Sequence, residues 1–78
     1  MVHVMYIMSN GNWYVNSYHV ESFETIAVMI QGKIKDGGMV QAYEVSGPIR
    51  NQHYINSAHI VSIREMQDWE YDNLSSDT

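Results

Sequence analysis

A chain of 78 residues with a formal charge of −5 has room for one small domain, and its 45% hydrophobic content suffices for a packed core. It has no cysteine, which excludes disulfide bonds, thiolate zinc sites and a cysteine nucleophile. Because so small a core is marginal, we expect self-association to contribute to stability. No stretch approaches the ~20 apolar residues of a membrane span, and no basic leader is present, so the predicted location is cytoplasmic.

An alternating apolar run at the N-terminus predicts a β-hairpin. Residues 2–8 carry apolar side chains at every second position, and a second apolar run follows at residues 13–15. Asn10-Gly11 lies between the two runs, and this dipeptide readily adopts the positive φ angles of a tight hairpin turn. We therefore expect two antiparallel strands joined by this turn.

The segment after the hairpin predicts a helix. Over residues 23–35, apolar side chains recur with the spacing of one helical face. Ser17 and Ser22 are the candidate N-caps, and residues 36–38 (Asp-Gly-Gly) are a typical helix end. Residues 25–30 could also form a buried strand, so both conformations remain open, with the helix favoured.

A second group of strands is predicted after the helix. Residues 39–45, 52–55 and 59–63 have β-strand composition, and they are separated by a loop at 46–51 and a bend at 56–57. The predicted fold class is therefore a small, mainly β, α+β domain. Its order is a hairpin, one central helix and a three-stranded β unit.

Two decapeptides of the chain resemble each other. Residues 14–23 and 54–63 share five identical residues: Tyr, Asn, Ser, His and Ser. Common turn chemistry at an Asn-Ser bend explains this similarity, and a duplicated unit is the alternative. The Asn bend before an Ile-x-x-Ile strand in the second copy also resembles small SH3-like and Sm-like barrels. That resemblance covers about ten residues and includes no motif specific to one family.

The negative charge is concentrated at the C-terminus. Residues 1–64 carry four acids and four bases, whereas residues 65–78 hold five acids and no base. We interpret the first segment as a single α+β domain and the second as an acidic-aromatic tail. As an extended strand, the tail would place three carboxylates on one face and Trp69 and Tyr71 on the other. Such a tail could be a disordered solubilising end, a docking segment or an imitation of a nucleic-acid backbone.

Motifs for catalysis and metal binding are missing from the sequence. The four histidines form no H-x-x-x-H pair, and there is no G-x-S-x-G sequence or phosphate-binding glycine pattern. Four scattered basic residues also argue against binding to duplex nucleic acid, which requires clustered cations. We therefore predict a protein that is not an enzyme and that has no metal ion or cofactor.

Aromatic side chains are the predicted binding groups. One set flanks the two Asn-Ser bends, and another lies in the tail, where Tyr and Trp could anchor a partner. A basic side chain in the predicted loop adds charge to the first set. The candidate ligand- or partner-binding residues are Trp13, Tyr14, Tyr18, Arg50, His53, Tyr54, Trp69 and Tyr71.

Three functions are consistent with these residues. The first is a non-enzymatic inhibitor or adaptor that acts as a homo-oligomer on a protein partner, including the kind of accessory protein that phages encode against host systems. The second is a homo-oligomer that sequesters a small nucleotide-like ligand between subunits, through stacking on aromatics. An Sm-like RNA binder is the weakest of the three, because residues 1–64 are neutral.

Overall fold

The computed structural model describes residues 1–46 and 48–74, which form a mainly β structure with some helix, as predicted. All pairings in its five-stranded sheet are antiparallel, and the strand order is β4-β3-β2-β1-β5. The elements are β1 (Val2–Met8), β2 (Trp13–Tyr18), α1 (Phe23–Asp36), β3 (Met39–Ser46), β4 (Ile49–Asn56), a 3₁₀ turn (Ser57–His59), β5 (Ile60–Met66) and α2 (Asp68–Leu74).

The N-terminal hairpin is confirmed. β1 and β2 pair from Val2↔Tyr18 to Ile7↔Trp13, and Gly11 in the connecting turn has a φ of 88°. A side chain would be strained at that angle, so glycine suits this turn. The Gly11 N–H donates to the Met8 carbonyl over 3.0 Å, which closes the turn.

The helix is also confirmed, and the strand alternative for residues 25–30 is wrong. Ile26 and Ile30 are 1% and 2% exposed, whereas Val28 between them is 63% exposed. A strand would place all three side chains on one face, but in a helix Val28 points away from the other two. Ser22 occupies the N-cap position without a side-chain cap bond, and Gly37 ends the helix in the left-handed conformation, with φ 72°.

The hydrophobic core lies between α1 and one face of the sheet, here called the first face. Every second residue of β1 points toward the helix, because side chains alternate along a strand. The side chains that fill this core are Val2, Val4, Tyr6, Met8, Ile26, Ile30, Val40, Ala42 and Ile55. The opposite side of the sheet, here called the second face, carries the intervening residues, such as His3 and Met5 of β1.

The predicted three-stranded unit does not form. β3 and β4 pair over their whole length, from Met39↔Asn56 to Ser46↔Ile49, which makes the connecting loop shorter than the expected 46–51. β5 leaves this hairpin and pairs with β1 at the opposite edge of the sheet. Because β1 is almost entirely buried, its backbone needs hydrogen-bond partners on both sides, and β5 supplies the second set.

The similar decapeptides adopt different structures. Asn16 and Ser17 lie inside β2, whereas Asn56 ends β4 and Ser57 begins the 3₁₀ turn. The expected bend at the first Asn-Ser pair is therefore wrong, since pairing with β1 and β3 holds this segment extended. Neither α1 nor α2 has the length and apolar character needed to cross a membrane, within the described residues.

Candidate functional site

The C-terminal segment folds back onto the second face of the sheet. Residues 68–72 belong to α2, so the extended strand considered for the tail does not form over these residues. The Tyr71 ring stacks on His3 of β1, with centroids 4.2 Å apart and planes at 5°. Asp68 Oδ1 lies 3.1 Å from Nε2 of the same histidine. These contacts attach α2 to the sheet. Residues 75–78 lie outside the described part of the chain.

Arg50 completes this contact from the edge strand β4. Its guanidinium carbon lies 5.0 Å from the centre of the Tyr71 ring, and Nη1 donates a hydrogen bond to the Tyr71 hydroxyl. A guanidinium group over a tyrosine ring is a favourable cation–π arrangement. Two predicted binding residues therefore contact each other on the second face.

Glu70 closes the first turn of α2. Its carboxylate accepts a hydrogen bond from the Gln67 backbone N–H over 3.0 Å and forms an ion pair with Arg64 of β5 at 3.1 Å. The Gln67 N–H, followed by the Arg64 guanidinium, holds the pKa of this carboxyl below its usual range. The ionised form of Glu70 is thus the one that fits the docked helix.

Acid is expected to loosen α2 through Glu70. A carboxyl with a lowered pKa in the folded state stabilises the protein above its unfolded-state pKa, and this contribution is lost as the pH falls through the folded-state value. A carbon-detected NMR titration should place the Glu70 midpoint below that of an ordinary glutamate. Arg64→Gln should move the midpoint upward. A midpoint at or above the ordinary value in the unaltered protein would contradict this prediction.

An open cleft lies on the other side of the sheet, next to the hairpin turn. Its volume of about 450 Å³ falls within the usual range for small-molecule sites. The ring centroids of Tyr14 (β2) and His53 (β4) are 5.1 Å apart in the cleft, at 55° to each other. β3 runs between these strands and places Ala42 opposite His53, and its small side chain leaves space there. The polar and aromatic lining residues are Ser9, Asn10, Tyr14, His53, Tyr54, Asn56 and His59.

Tyr54 borders this cleft, but it follows His53 directly in β4, so the alternation of side chains puts its ring on the second face. The predicted binding residues whose rings meet in the cleft are therefore Tyr14 and His53. Arg50 does not join them. In β4, Arg50 pairs with Val45 and His53 pairs with Ala42, so the alternation of side chains puts them on opposite faces. The expected cluster of aromatics with Arg50 is therefore divided between two faces of the sheet.

The remaining predicted residues lie elsewhere. Trp13 contributes to a separate shallow cavity beside the hairpin turn, and Trp69 of α2 is 65% exposed. The Tyr18 hydroxyl contacts that of Tyr6, whose ring is fully buried in the core. Burial, followed by this contact, raises the pKa of the Tyr6 hydroxyl far above its usual range, so it remains protonated. Tyr18 thus has a structural contact in the core.

Sequence reasoning missed Asn10, Asn56 and His59 as cleft residues. The two asparagines were interpreted only as turn residues, and each does bond its own backbone: Asn10 Oδ1 accepts from Asn12 N, and Asn56 Oδ1 from Ala58 N. His59 was considered only as a metal ligand. Residues 1–46 and 48–74 contain no group of three or more side chains placed to hold a metal ion.

An apolar groove separates α1 from β5. Its volume is about 260 Å³, and most of its lining is aliphatic or aromatic: Phe23, Ala27, Ile30 and Ile34 from the helix and Ile60, Val61 and Ile63 from the strand. β5 is an edge strand, and Val61 is 64% exposed. The sequence did not indicate this groove, because β5 was expected to pair next to β4.

Comparison with protein-family models finds no family that matches this chain, and neither the curated proteins nor the solved structures include a significant match.

Proposed function

We propose that this chain is a non-enzymatic, cytoplasmic interaction protein that acts as a homo-oligomer and serves as an inhibitor or adaptor of a protein partner. The observation that supports this proposal best is the apolar groove beside β5. A groove of this kind next to an unpaired strand edge is typical of surfaces that bind another polypeptide.

The edge of β5 offers backbone groups as well as apolar side chains. β5 pairs with β1 on one side, and the sheet order places no strand of the described residues on its other side. An added strand would pair with these N–H and C=O groups and cover Val61. The groove toward α1 would then receive side chains from that strand.

Self-association is favoured by the exposed apolar residues of the helix and of β5. Val28, Met29, Ile34 and Val61 are all exposed, although the chain has only 78 residues over which to bury apolar surface. Burying them against a second copy would supply stability that the small core lacks.

The tail takes a smaller part in this proposal than the sequence predicted. Tyr71 contacts His3 and Arg50 within the chain, so it supports the attachment of α2 to the sheet. Trp69 is exposed on α2 and remains the predicted contact of the tail with a partner.

Replacing Val61 by lysine should prevent self-association. The lysine would place a charge on the β5 edge, where an added strand would have to desolvate it. Native mass spectrometry or light scattering should give a multiple of 9.0 kDa for the unaltered protein and 9.0 kDa for V61K.

Ile49→Lys provides the matched control for this experiment. Ile49 is also an exposed apolar residue of an edge strand, but it lies in β4, at the far side of the sheet. I49K should retain the mass of the unaltered protein. A mass of 9.0 kDa for the unaltered protein at high concentration would contradict the homo-oligomer.

Sequestration of a small nucleotide-like ligand is the second candidate function, and the cleft at Tyr14 and His53 favours it. Arg50 was expected to add positive charge to these aromatic residues, but it faces the other side of the sheet and contacts Tyr71. Sm-like RNA binding has less support, because Arg50 and Arg64 contact Tyr71 and Glu70, whereas RNA requires a basic groove.

A further inference from the structure

We propose that the cleft at Tyr14 and His53 binds an uncharged planar heteroaromatic molecule of the nucleobase or nucleoside class. This inference is independent of the proposed protein–protein interaction, because the cleft and the β5 groove are lined by different residues. It defines which part of a nucleotide-like ligand this chain would recognise.

The aromatic rings of the cleft suit a flat ligand. The Tyr14 and His53 rings are tilted at 55°, so they form two walls of an open wedge. Stacking on such rings accepts any base, because every base has a π face.

The polar groups of the cleft suit the edge of a base. The side-chain oxygens of Asn10 and Asn56 already accept backbone hydrogen bonds, so the Nδ2 donors of each amide are the groups left for another partner. Neither Nδ2 atom has a hydrogen-bond partner among the described residues. The imidazoles of His53 and His59 add ring nitrogens that donate or accept. Donors and acceptors beside stacking rings match the hydrogen-bonding edges of nucleobases.

The charges around the cleft do not suit a phosphate. No lysine or arginine is among the described residues that line it. Glu44 Oε1 lies 3.8 Å from His53 Nε2 and adds negative charge at one side. A phosphate on the ligand would meet this carboxylate without a guanidinium or ammonium partner, which opposes binding. The base, rather than the phosphate, is therefore the recognised group.

Titration by NMR at pH 8 tests this inference with the full chain. The probes are adenosine, guanosine, cytidine, uridine and their four 5′-monophosphates. We expect at least one nucleoside to shift the Tyr14 and His53 resonances saturably, and its monophosphate to bind with equal or lower affinity. His53→Ala should weaken nucleoside binding at least fivefold. Because the His53 side chain is 40% exposed, this variant should fold, and circular dichroism verifies that it does.

Trp69→Ala is the control, because it removes an exposed aromatic residue from α2, outside the cleft. It should leave nucleoside affinity unchanged. Absence of a shift with all four nucleosides at millimolar concentration would overturn the inference. So would a monophosphate that binds tenfold more tightly than its nucleoside, or equal losses from H53A and W69A. Failure here leaves the V61K result unaffected, so the two proposals are tested separately.

Discussion

Replacing Ile26 by alanine is expected to lower the free energy of unfolding by about 3 kcal/mol. Ile26 is 1% exposed and packs between α1 and the first face of the sheet. Its truncation removes buried methyl groups and leaves a cavity, because close-packed neighbours relax only partly. A domain of this length has a total stability of about 4–12 kcal/mol. The expected loss is therefore a large share of the total stability. Urea unfolding monitored by circular dichroism measures it.

Val28→Ala provides the control on the same helix. Val28 points into solvent, so its truncation should change the stability by less than about 0.5 kcal/mol. Equal losses in I26A and V28A would contradict the assignment of the buried face of α1. They would indicate that the helix packs through another face or that both changes act on helix propensity alone.

Replacing Ser57 by alanine is expected to cost about 1–3 kcal/mol, which is large for a single hydroxyl. Ser57 is fully buried, and its Oγ lies 2.6 Å from the Gly38 carbonyl oxygen and 3.0 Å from that of Lys33. Its backbone N–H also donates to Gly38 O over 3.1 Å. The alanine variant would lose the hydroxyl donor for these carbonyls at the end of α1, and the Gly38 carbonyl would keep only the backbone bond.

Ser62→Ala is the matched control, because Ser62 is an exposed serine of β5 whose side chain forms no hydrogen bond with the described part of the chain. It should change the unfolding free energy by less than about 0.5 kcal/mol. A similar effect of S57A and S62A would show that the contacts of Ser57 with the α1 end contribute little.

These two core positions also adjoin the proposed binding surfaces. Ser57 lies between Asn56 and His59, which both line the cleft, so the hydroxyl positions them relative to the helix end. Ile26 lies one residue from Ala27, which lines the groove toward β5. A substitution at either position should therefore weaken binding at these surfaces, because the lining residues shift although none of them is replaced.

Elements defined by neighbouring residues could be predicted well. The hairpin turn at Asn10-Gly11 and the helix end at Gly37 depend on backbone angles that glycine adopts without strain. The apolar spacing of residues 23–35 favoured a helix over a strand, and the burial of Ile26 and Ile30 confirms the helix. In each case the relevant interactions lie within a few residues of one another.

The cleft could be predicted only in part, and Arg50 shows why. It was assigned to a loop, where any direction was open, but β4 begins at Ile49 and includes it. Once Arg50 is a strand residue, its odd separation from His53 places the two on opposite faces. The predicted start of this strand was three residues too late, and for that reason Arg50 was expected beside the aromatic residues although it lies on the other face.

The sequence by itself determined the local elements, the position of the acidic residues and the lack of cysteine chemistry, because these depend on residue type and short spacing. The tertiary structure decided three other features: β5 lies beside β1, α2 returns to stack Tyr71 on His3, and Tyr14 meets His53 across β3. Each of these joins residues 30 or more positions apart, as the numbering shows. Several apolar strands could pair with the same buried strand. Local residue spacing does not indicate which of them does so.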